Sequence, residues 1–362
     1  MAHPSVPASR RHPAAPDPWL AVNYALIFPG LGQLYSRYWW KGGILVAIAV
    51  TSIIFCVWSI FGAHGNTLHG FWAVGWLVVL YSFSILDAYR GTQENYGQRI
   101  SVPKGRKDIW YAVFLSQVLP GLGHLYIQQA LLGGLWLLAG ILTAWLANQQ
   151  PLLAPFPPAI WAFSCYHVYR NFPGHSRRTS SAIALLILGL FITRLVLGNT
   201  PNWIDQNFIQ SIVPSESMVP TLQVGDRLFV RPSPRYVPQT GDIVVFYPPE
   251  ALQAMLPAAR RENLFVKRVI GKPGETVAVT GGQVLINGVV LSEEYIQSPP
   301  DYEWGPATVP PAQYFVLGDN RNDSGDSHVW GYLPTEKILG RAYKIYWPPD
   351  RIQPLPGGRQ RS

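Results

Sequence analysis

Residues 109–169 read IWYAVFLSQVLPGLGHLYIQQALLGGLWLLAGILTAWLANQQPLLAPFPPAIWAFSCYHVY and contain no Asp, Glu, Lys or Arg. Residues 42–86 also lack these four residue types, whereas charged residues occur throughout the chain after about residue 199. A helix needs about 20 predominantly apolar residues to cross a bilayer, and charged side chains are costly inside one. The pattern therefore predicts an α-helical membrane region followed by a globular domain of roughly 160 residues.

A seven-residue motif recurs within the apolar region. The sequence PGLGQLY at residues 29–35 returns as PGLGHLY at residues 120–126, and each copy is followed by a Gly-Gly pair and, further on, by Tyr-Arg. Self-similarity of this kind indicates a duplicated structural unit. We interpret residues 19–90 and 109–170 as two copies of one membrane unit. Proline and glycine near the end of each first apolar run favour a broken or re-entrant helix at that point.

Several segments have approximately the length and composition of a membrane span; they are residues 43–62, 69–86, 132–149, 152–169 and 180–197. The last belongs to a final transmembrane anchor at 180–198. Arg194 lies near one end of this anchor, from which its side chain could reach the lipid headgroups. The segments before each Pro-Gly-Leu-Gly could also cross the bilayer, so the prediction is five to seven spans.

Loop charge favours five spans over seven. Lys and Arg are concentrated in residues 91–108 and 170–178, and cytoplasmic loops of membrane proteins carry such an excess. Five spans place both basic loops in the cytoplasm, whereas seven would place residues 91–108 outside. Both counts are odd, so a cytoplasmic N-terminus puts the C-terminal domain on the extracytoplasmic side. We expect a multi-pass protein of the plasma membrane.

The remaining composition limits the partners. Residues 1–18 are rich in Pro, Ala and His and are predicted to be disordered, and residues 351–362 are predicted to form a flexible tail. The net charge of +8 lies largely beside the apolar segments, so we expect a lipid bilayer as partner and no nucleic acid. Cys56 and Cys165 lie in apolar segments and are interpreted as buried small hydrophobic residues. The oligomeric state is left open.

The C-terminal part, residues 199–350, has the pattern of a mainly antiparallel β domain. Short runs rich in β-branched and aromatic residues alternate with Gly, Pro and Asn-Gly turns. The runs are residues 227–231, 242–247, 264–270, 276–279, 283–286, 314–318 and 340–346. No long amphipathic helical pattern occurs in this part, so the expected fold class is a duplicated helical membrane region followed by an antiparallel β domain.

Three segments of the β domain carry residue types suited to catalysis. Ser217 lies between two prolines in residues 214–222, PSESMVPTL, which restricts the backbone around its hydroxyl. Lys267 lies in a predicted strand, where burial would lower its pKa enough for a neutral amine to act as a base. The loop at residues 318–331 is dense in small polar residues and predicts side-chain-to-backbone hydrogen bonds. His328, the one histidine of this domain, is the alternative base for a serine hydrolase.

Four motifs occur in an order that resembles bacterial type I signal peptidases. They are Ser-x-Ser-Met-x-Pro-Thr-Leu at 215–222, Gly-Asp-Ile-Val-Val-Phe at 241–246, Lys-Arg-Val-Ile-Gly-x-Pro-Gly at 267–274 and Gly-Asp-Asn-Arg-x-x-Ser-x-Asp-Ser at 318–327. The resemblance covers roughly residues 212–347. It implies a membrane-bound serine endopeptidase that removes signal peptides from exported preproteins, cleaving after small residues of the Ala-x-Ala type. It also implies a largely antiparallel β fold that needs neither metal nor cofactor.

The resemblance assigns a role to each matching residue. Ser217 corresponds to the nucleophile and Lys267 to its general base, a Ser-Lys dyad. Ser215 corresponds to the hydroxyl that joins the Ser217 backbone N–H in the oxyanion hole. Ser324 corresponds to the hydroxyl that orients the lysine, and Asp326 to a structural support of the loop.

Departures from the family pattern keep other interpretations open. Thr240 stands where a basic residue is common, Asn322-Asp323 inverts a frequent order, and His328 stands where many members have Arg, which weakens the charge partner of Asp326. One alternative is a serine peptidase that uses His328 with Asp326. Others are a non-catalytic membrane scaffold, or a transport module formed by the duplicated unit. Transport is disfavoured because Asp87 is the one acidic residue in the spans and lies at an edge.

Overall fold

The computed structural model describes residues 15–96, 107–173, 181–232 and 236–357. The chain divides into two compact units, one within Met1–Ile54 and Ala73–Pro201, the other within Phe55–Trp72 and Asn202–Ser362. Most of the N-terminus predicted to be disordered, most of the basic loop and the end of the predicted tail lie outside the described residues. The sequence-based domain boundaries therefore stay predictions.

Helices make up the first unit, and their order repeats. The first set is α1 Pro18–Ile27, α2 Leu31–Tyr35, α3 Trp39–Phe61 and α4 Thr67–Tyr96, and the second is α5 Ile109–Val118, α6 Leu122–Tyr126, α7 Ala130–Gln149 and α8 Phe156–Arg170. Helix α9, Ser181–Asn207, follows and continues beyond the predicted anchor. Each set begins with a helix of 10 residues and one of 5 residues, followed by two further helices, while the duplication itself stays a prediction.

The break predicted at each Pro-Gly-Leu-Gly is present between α1 and α2 and between α5 and α6. Gly30 and Gly121 both have a φ of +95°, a backbone conformation that glycine adopts without strain. A Cβ atom on Gly30 would lie 2.5 Å from the Gly42 carbonyl oxygen, and one on Gly121 would lie 2.1 Å from that of Gly133. The motif glycines therefore allow the chain to turn against the start of the following long helix.

Not all predicted spans have the length of a span. Four described helices are long and apolar enough to cross a membrane, namely α3, α4, α7 and α9. The predicted span at 152–169 corresponds instead to α8, which has 15 residues, fewer than the roughly 20 that a bilayer requires. Prolines at residues 155, 157 and 158 explain the late start of this helix. The count of five spans therefore stays a prediction.

Arg194 does not have the position expected for it. Its Nη2 donates a hydrogen bond of 2.6 Å to the Gln117 carbonyl oxygen, and its guanidinium lies 4.4 Å from the centre of the Trp161 ring. The same carbonyl accepts the Trp161 indole N–H at 3.0 Å. A polar carbonyl and an aromatic face inside the helical unit therefore hold this cation, contacts that the sequence analysis did not predict.

The C-terminal part is an antiparallel β domain, as predicted. Its strands are β1 Ile209–Ile212, β2 Arg227–Pro232, β3 Ile243–Phe246, β4 Phe265–Gly271, β5 Thr276–Thr280, β6 Gln283–Ile286, β7 Val289–Val290, β8 Trp304–Thr308, β9 Gln313–Leu317, β10 Leu333–Pro334, β11 Ile338–Trp347 and β12 Gln353–Pro354. The main sheet has the order β1-β2-β11-β3-β4-β9-β10, with β12 paired to β11. The second sheet has the order β7-β6-β5-β8. Two short helices, α10 Glu250–Met255 and α11 Ser327–Trp330, interrupt the strands.

Strand β4 lies near the centre of the main sheet, between β3 and β9. All of its residues after Phe265 are buried. Lys267 and Arg268 point to opposite faces because side chains alternate along a strand, and both are buried. The sheet therefore places one cation on each side of β4, in two different environments.

Candidate active site

Ser217 and Lys267 are brought together by the sheet. Ser217 lies in a single turn of 3-10 helix, Glu216–Met218, between β1 and β2. Lys267 projects from the middle of β4 and is 4% exposed. Its Nζ lies 2.5 Å from the Ser217 Oγ, which is hydrogen-bonding distance. The two residues that the sequence singles out as nucleophile and base are therefore in direct contact.

Burial lowers the pKa of Lys267 to about 8, and the negative charges of Asp326, Asp319 and Asp323 oppose that shift without cancelling it. Removal of an ammonium group from water disfavours its charged form. At a pH near 8 about half of these amines are consequently neutral. A neutral amine in contact with a hydroxyl can accept its proton.

Ser215 lies beside Ser217. Its Oγ donates a hydrogen bond of 3.2 Å to the Ser217 Oγ. This contact brings a second hydroxyl next to that of Ser217, and hydrogen-bond donors beside a reacting carbonyl can stabilise developing negative charge. The role of Ser215 in an oxyanion hole remains a prediction.

The polar loop after β9 packs against the turn that contains Ser217. Asp326 is buried, and its Oδ2 accepts the Gly318 backbone N–H at 2.9 Å. Its Oδ1 lies 2.6 Å from the His328 Nδ1, so histidine occupies the partner position that the family resemblance gives to arginine. The Ser217 carbonyl accepts the Asn320 backbone N–H at 3.2 Å. Asp326 therefore supports the loop that contacts Ser217.

Ser324 is close to the dyad without a visible partner. Its Oγ is buried and makes no hydrogen bond within the parts of the chain that the structure describes. A Cβ atom added to Gly318 would lie 2.3 Å from this Oγ and 2.3 Å from the Ser217 carbonyl oxygen. Ser324 and Ser217 are thus neighbours across Gly318, while the predicted role of Ser324 in orienting Lys267 stays a prediction.

Gly318→Ala is expected to lower the catalytic rate at least about tenfold. The new methyl group would overlap the Ser217 carbonyl oxygen, a backbone atom that moves only if the nucleophile's turn moves, and displacements of about 1 Å at a reacting group are costly. Steady-state kinetics of the purified chain measure the effect. Gly325→Ala in the same loop is the control, because nothing lies within 4 Å of its added methyl group. Equal losses in both variants would contradict the prediction.

A buried ion pair lies on the other face of β4, and the sequence analysis did not identify it. The Arg268 Nε and Nη2 donate to the two carboxylate oxygens of Asp319 at 2.7 and 2.6 Å. The Thr221 hydroxyl donates to the same carboxylate at 2.5 Å. The Arg268 guanidinium also lies 3.9 Å from the centre of the Tyr295 ring. This pair joins the strand of Lys267 to the loop that begins at Gly318.

A second pair fixes the same loop. Glu293 accepts two hydrogen bonds from Arg321, at 2.7 and 2.5 Å, and the Arg321 Nε donates to the Gly318 carbonyl oxygen at 2.9 Å. Gly318 is therefore held through its N–H by Asp326 and through its carbonyl by Arg321. The sequence did contain a sign of these two ion pairs. Arg268, Asp319 and Arg321 are charged residues inside the motifs that the sequence analysis quoted.

The dyad opens into a cleft of about 490 Å³. Its walls come from the nucleophile's segment, from the start of β4 and from the segment that contains α10; they include Val213, Met218, Leu252, Leu256, Phe265 and Val266. A serine hydroxyl in contact with a buried amine, both lining a mainly apolar cleft, is the arrangement of a serine hydrolase.

Known proteins with similar sequences belong to this class. Residues 184–347 match the family described as signal peptidase, peptidase S26, and residues 14–60 match a family of unknown function (DUF5683). A signal peptidase I of Leptolyngbya laminosa is 57% identical over 145 residues, 40% of this chain and 70% of that protein. A probable signal peptidase I of Synechocystis is 48% identical over 152 residues, 41% and 68% of the two chains. The crystal structure of a signal peptidase I from Enterococcus faecalis has 33% identity, 29% and 97% coverage and a TM-score of 0.22.

Identity at this level over more than two thirds of two relatives shows that the chain belongs to the signal peptidase I family. It is therefore a serine endopeptidase, and its reaction is the removal of signal peptides from preproteins. The family match includes the positions of Ser217, Lys267 and the polar loop.

Proposed function

We propose that this peptidase cleaves preproteins with a Ser-Lys dyad, in which Ser217 is the nucleophile and Lys267 the general base. The observation that carries the proposal is the 2.5 Å separation between the Ser217 Oγ and the buried Lys267 Nζ. Neutral Lys267 accepts the hydroxyl proton as the Ser217 Oγ attacks the scissile carbonyl. The Ser217 backbone N–H and the Ser215 hydroxyl stabilise the resulting oxyanion.

The second half of the reaction uses the same groups. Protonated Lys267 donates its proton to the leaving amine, which departs as the new N-terminus of the mature protein. A water molecule then loses a proton to Lys267 and attacks the acyl-enzyme ester, which releases the signal peptide and restores the Ser217 hydroxyl. Ser324 orients the amine during both transfers in this proposal.

The contacts of His328 support lysine over histidine as the base. The His328 Nδ1 pairs with Asp326, and its ring stacks on Tyr302 at 4.0 Å between centroids. Lys267 is the titratable group in contact with Ser217. His328 and Asp326 therefore act in the proposal as supports of the loop.

The shape of the cleft supports cleavage after small residues. Met218 follows the nucleophile directly and is buried, and Val213 and Val266 are also buried beside the cleft. Buried apolar side chains that line the same cleft as Ser217 would limit the size of the residue before the scissile bond. We therefore assign Ala-x-Ala type sites to this enzyme.

The proposal includes a five-span arrangement in the plasma membrane with the β domain outside. The long apolar helices α3, α4, α7 and α9 supply four spans. The fifth is the apolar segment of residues 152–169, which includes the shorter helix α8 and has the position in the second set that α4 has in the first. The basic loops then lie in the cytoplasm. Preproteins and the lipid bilayer are the partners, since a signal peptide is itself held in the membrane.

The test uses the full chain in liposomes with an inserted preprotein that carries Ala at positions −3 and −1. We expect wild type to release mature protein with the N-terminus at that site, and to cleave a substrate with Leu at −1 at least about 100-fold more slowly, because the added side chain does not fit the packed cleft. Mass spectrometry of the product locates the cut. Ser217→Ala is the matched inactive control.

Cleavage of both substrates at similar rates would contradict the specificity, and cleavage by Ser217→Ala would contradict the nucleophile. If folded wild type cuts no preprotein, the non-catalytic scaffold becomes the better interpretation.

A further inference from the structure

The tip of the first long helical hairpin belongs to the compact unit of the β domain. Residues Phe55–Trp72, at the end of α3 and the start of α4, group with Asn202–Ser362. The corresponding turn of the second copy, between α7 and α8, stays in the other unit. The two copies therefore differ at this turn, although their helix order is the same.

A buried lysine on β11 donates hydrogen bonds to the end of α3. The Lys344 Nζ donates hydrogen bonds to the carbonyl oxygens of Ser59 at 2.9 Å and Ile60 at 2.8 Å. The neighbouring Tyr343 hydroxyl donates to the Phe61 carbonyl oxygen at 3.0 Å. These are the last carbonyls of the helix, which lack donors within it and carry its partial negative charge. The three contacts therefore form a cap supplied by the β domain.

The burial of Lys344 and its lack of a carboxylate partner among the described residues suit it to bind these carbonyl oxygens. It is 0% exposed, and within the described ranges no carboxylate pairs with it. Burial lowers its pKa to about 8. A buried ammonium group needs hydrogen-bond acceptors, and the end of α3 provides them. Without the end of α3, the buried Lys344 ammonium group would lack these hydrogen-bond acceptors.

Aromatic packing surrounds the cap. The Phe61 ring stacks on Phe208 at 4.4 Å between centroids and lies 5.6 Å from Phe229. Phe229 stacks in turn on Tyr346 at 4.2 Å. The hairpin tip therefore contacts the β domain through both hydrogen bonds and apolar packing.

We infer that the tip of the first helical hairpin is a docking element for the peptidase domain, and that Lys344 is the positioning residue that locks it. The inference rests on the proposed function. Helix α9 alone would attach the β domain to the membrane through one chain connection. The α3–α4 tip adds two further chain connections to helices long enough to span the bilayer. Additional chain connections confine the active site to the membrane surface, which raises its effective concentration at bonds held there.

The experiment compares two substrates with the full chain in liposomes. One is a preprotein inserted in the same liposomes, and the other is a short soluble peptide that spans the cleavage site. Lys344→Met is expected to lower kcat/KM for the inserted preprotein at least about tenfold and to change kcat/KM for the peptide less than about twofold. Lys344→Arg should restore part of the loss, and Lys337→Met, a lysine just before β11, is the matched control.

Tyr343→Phe keeps the inference testable if Lys344→Met fails to fold. It removes one hydroxyl and should lower preprotein cleavage about threefold with no change for the peptide. Equal effects on both substrates in Tyr343→Phe, or an unchanged preprotein rate in folded Lys344→Met, would overturn the inference. Failure of wild type to cut either substrate would instead overturn the proposed function.

Discussion

Lys267→Met is expected to lower the rate of preprotein cleavage at least about 10³-fold, because the amine in contact with the Ser217 hydroxyl is lost. Methionine is of similar length and apolar, so it suits a side chain that is 4% exposed. The loss should appear in kcat, since the apolar walls of the cleft that bind the substrate are unchanged. Single-turnover kinetics with excess enzyme measure the chemical step directly.

The pH profile of wild type checks the same role. Burial lowers the pKa of Lys267 from 10.5 to about 8, and only the neutral amine accepts a proton. The value of kcat/KM should therefore rise with pH, reach half of its limit near pH 8 and then level off. An unperturbed lysine would still be almost entirely protonated at that pH.

His328→Asn is the control for the alternative mechanism. The amide can still donate to Asp326, which keeps the loop in place, but it cannot act as a base. We expect this variant to retain activity within about tenfold of wild type. A dead His328→Asn together with an active Lys267→Met would replace the Ser-Lys dyad with a Ser-His-Asp arrangement.

The agreement between sequence and structure is best where the information is local. Ser217 and Lys267 each lie in a motif of fewer than ten residues, and the order of the motifs identified the family before their contact was known. The seven strand runs named in the sequence analysis were also predictable, because short runs of β-branched and aromatic residues are separated by turn residues. The break at Gly30 follows from one proline and two glycines.

The sequence did not predict several contacts between residues that are distant along the chain and are brought together by the fold. Lys344 lies in a strand, and nothing in its neighbourhood shows that the end of α3 covers it. Arg194 lies near a helix end, where lysine and arginine commonly reach the headgroups, and its contacts with Gln117 and Trp161 come from distant helices. The predicted length of the helix at residues 152–169 was too great. The segment is as apolar as a membrane span, but its prolines delay the start of the regular helix α8.

Arg268→Met is expected to lower the free energy of unfolding of the β domain by about 3–5 kcal/mol. Arg268 and Asp319 are both buried, so the variant leaves a carboxylate away from water without its cation. The Thr221 hydroxyl remains as a donor to Asp319 but carries no charge. Denaturant titration of the detergent-solubilised chain, followed by tryptophan fluorescence, measures the loss through its midpoint.

A double variant separates the ion pair from the packing around it. Arg268→Met with Asp319→Leu removes both charges, and buried pairs replaced by apolar groups commonly recover stability. We expect the double variant to be more stable than Arg268→Met alone. Lys272→Met, which breaks the partly exposed pair with Glu275, should cost less than about 1 kcal/mol.

The double variant should nevertheless cleave preproteins more slowly than wild type. Asp319 follows Gly318, which contacts the nucleophile's turn, and the Arg268 pair holds this loop against the strand of Lys267. Recovery of stability without recovery of rate would show that the pair positions the site. If Arg268→Met costs no more than Lys272→Met, the buried pair does not hold the loop, and the position of Gly318 depends on Asp326 and Arg321 instead.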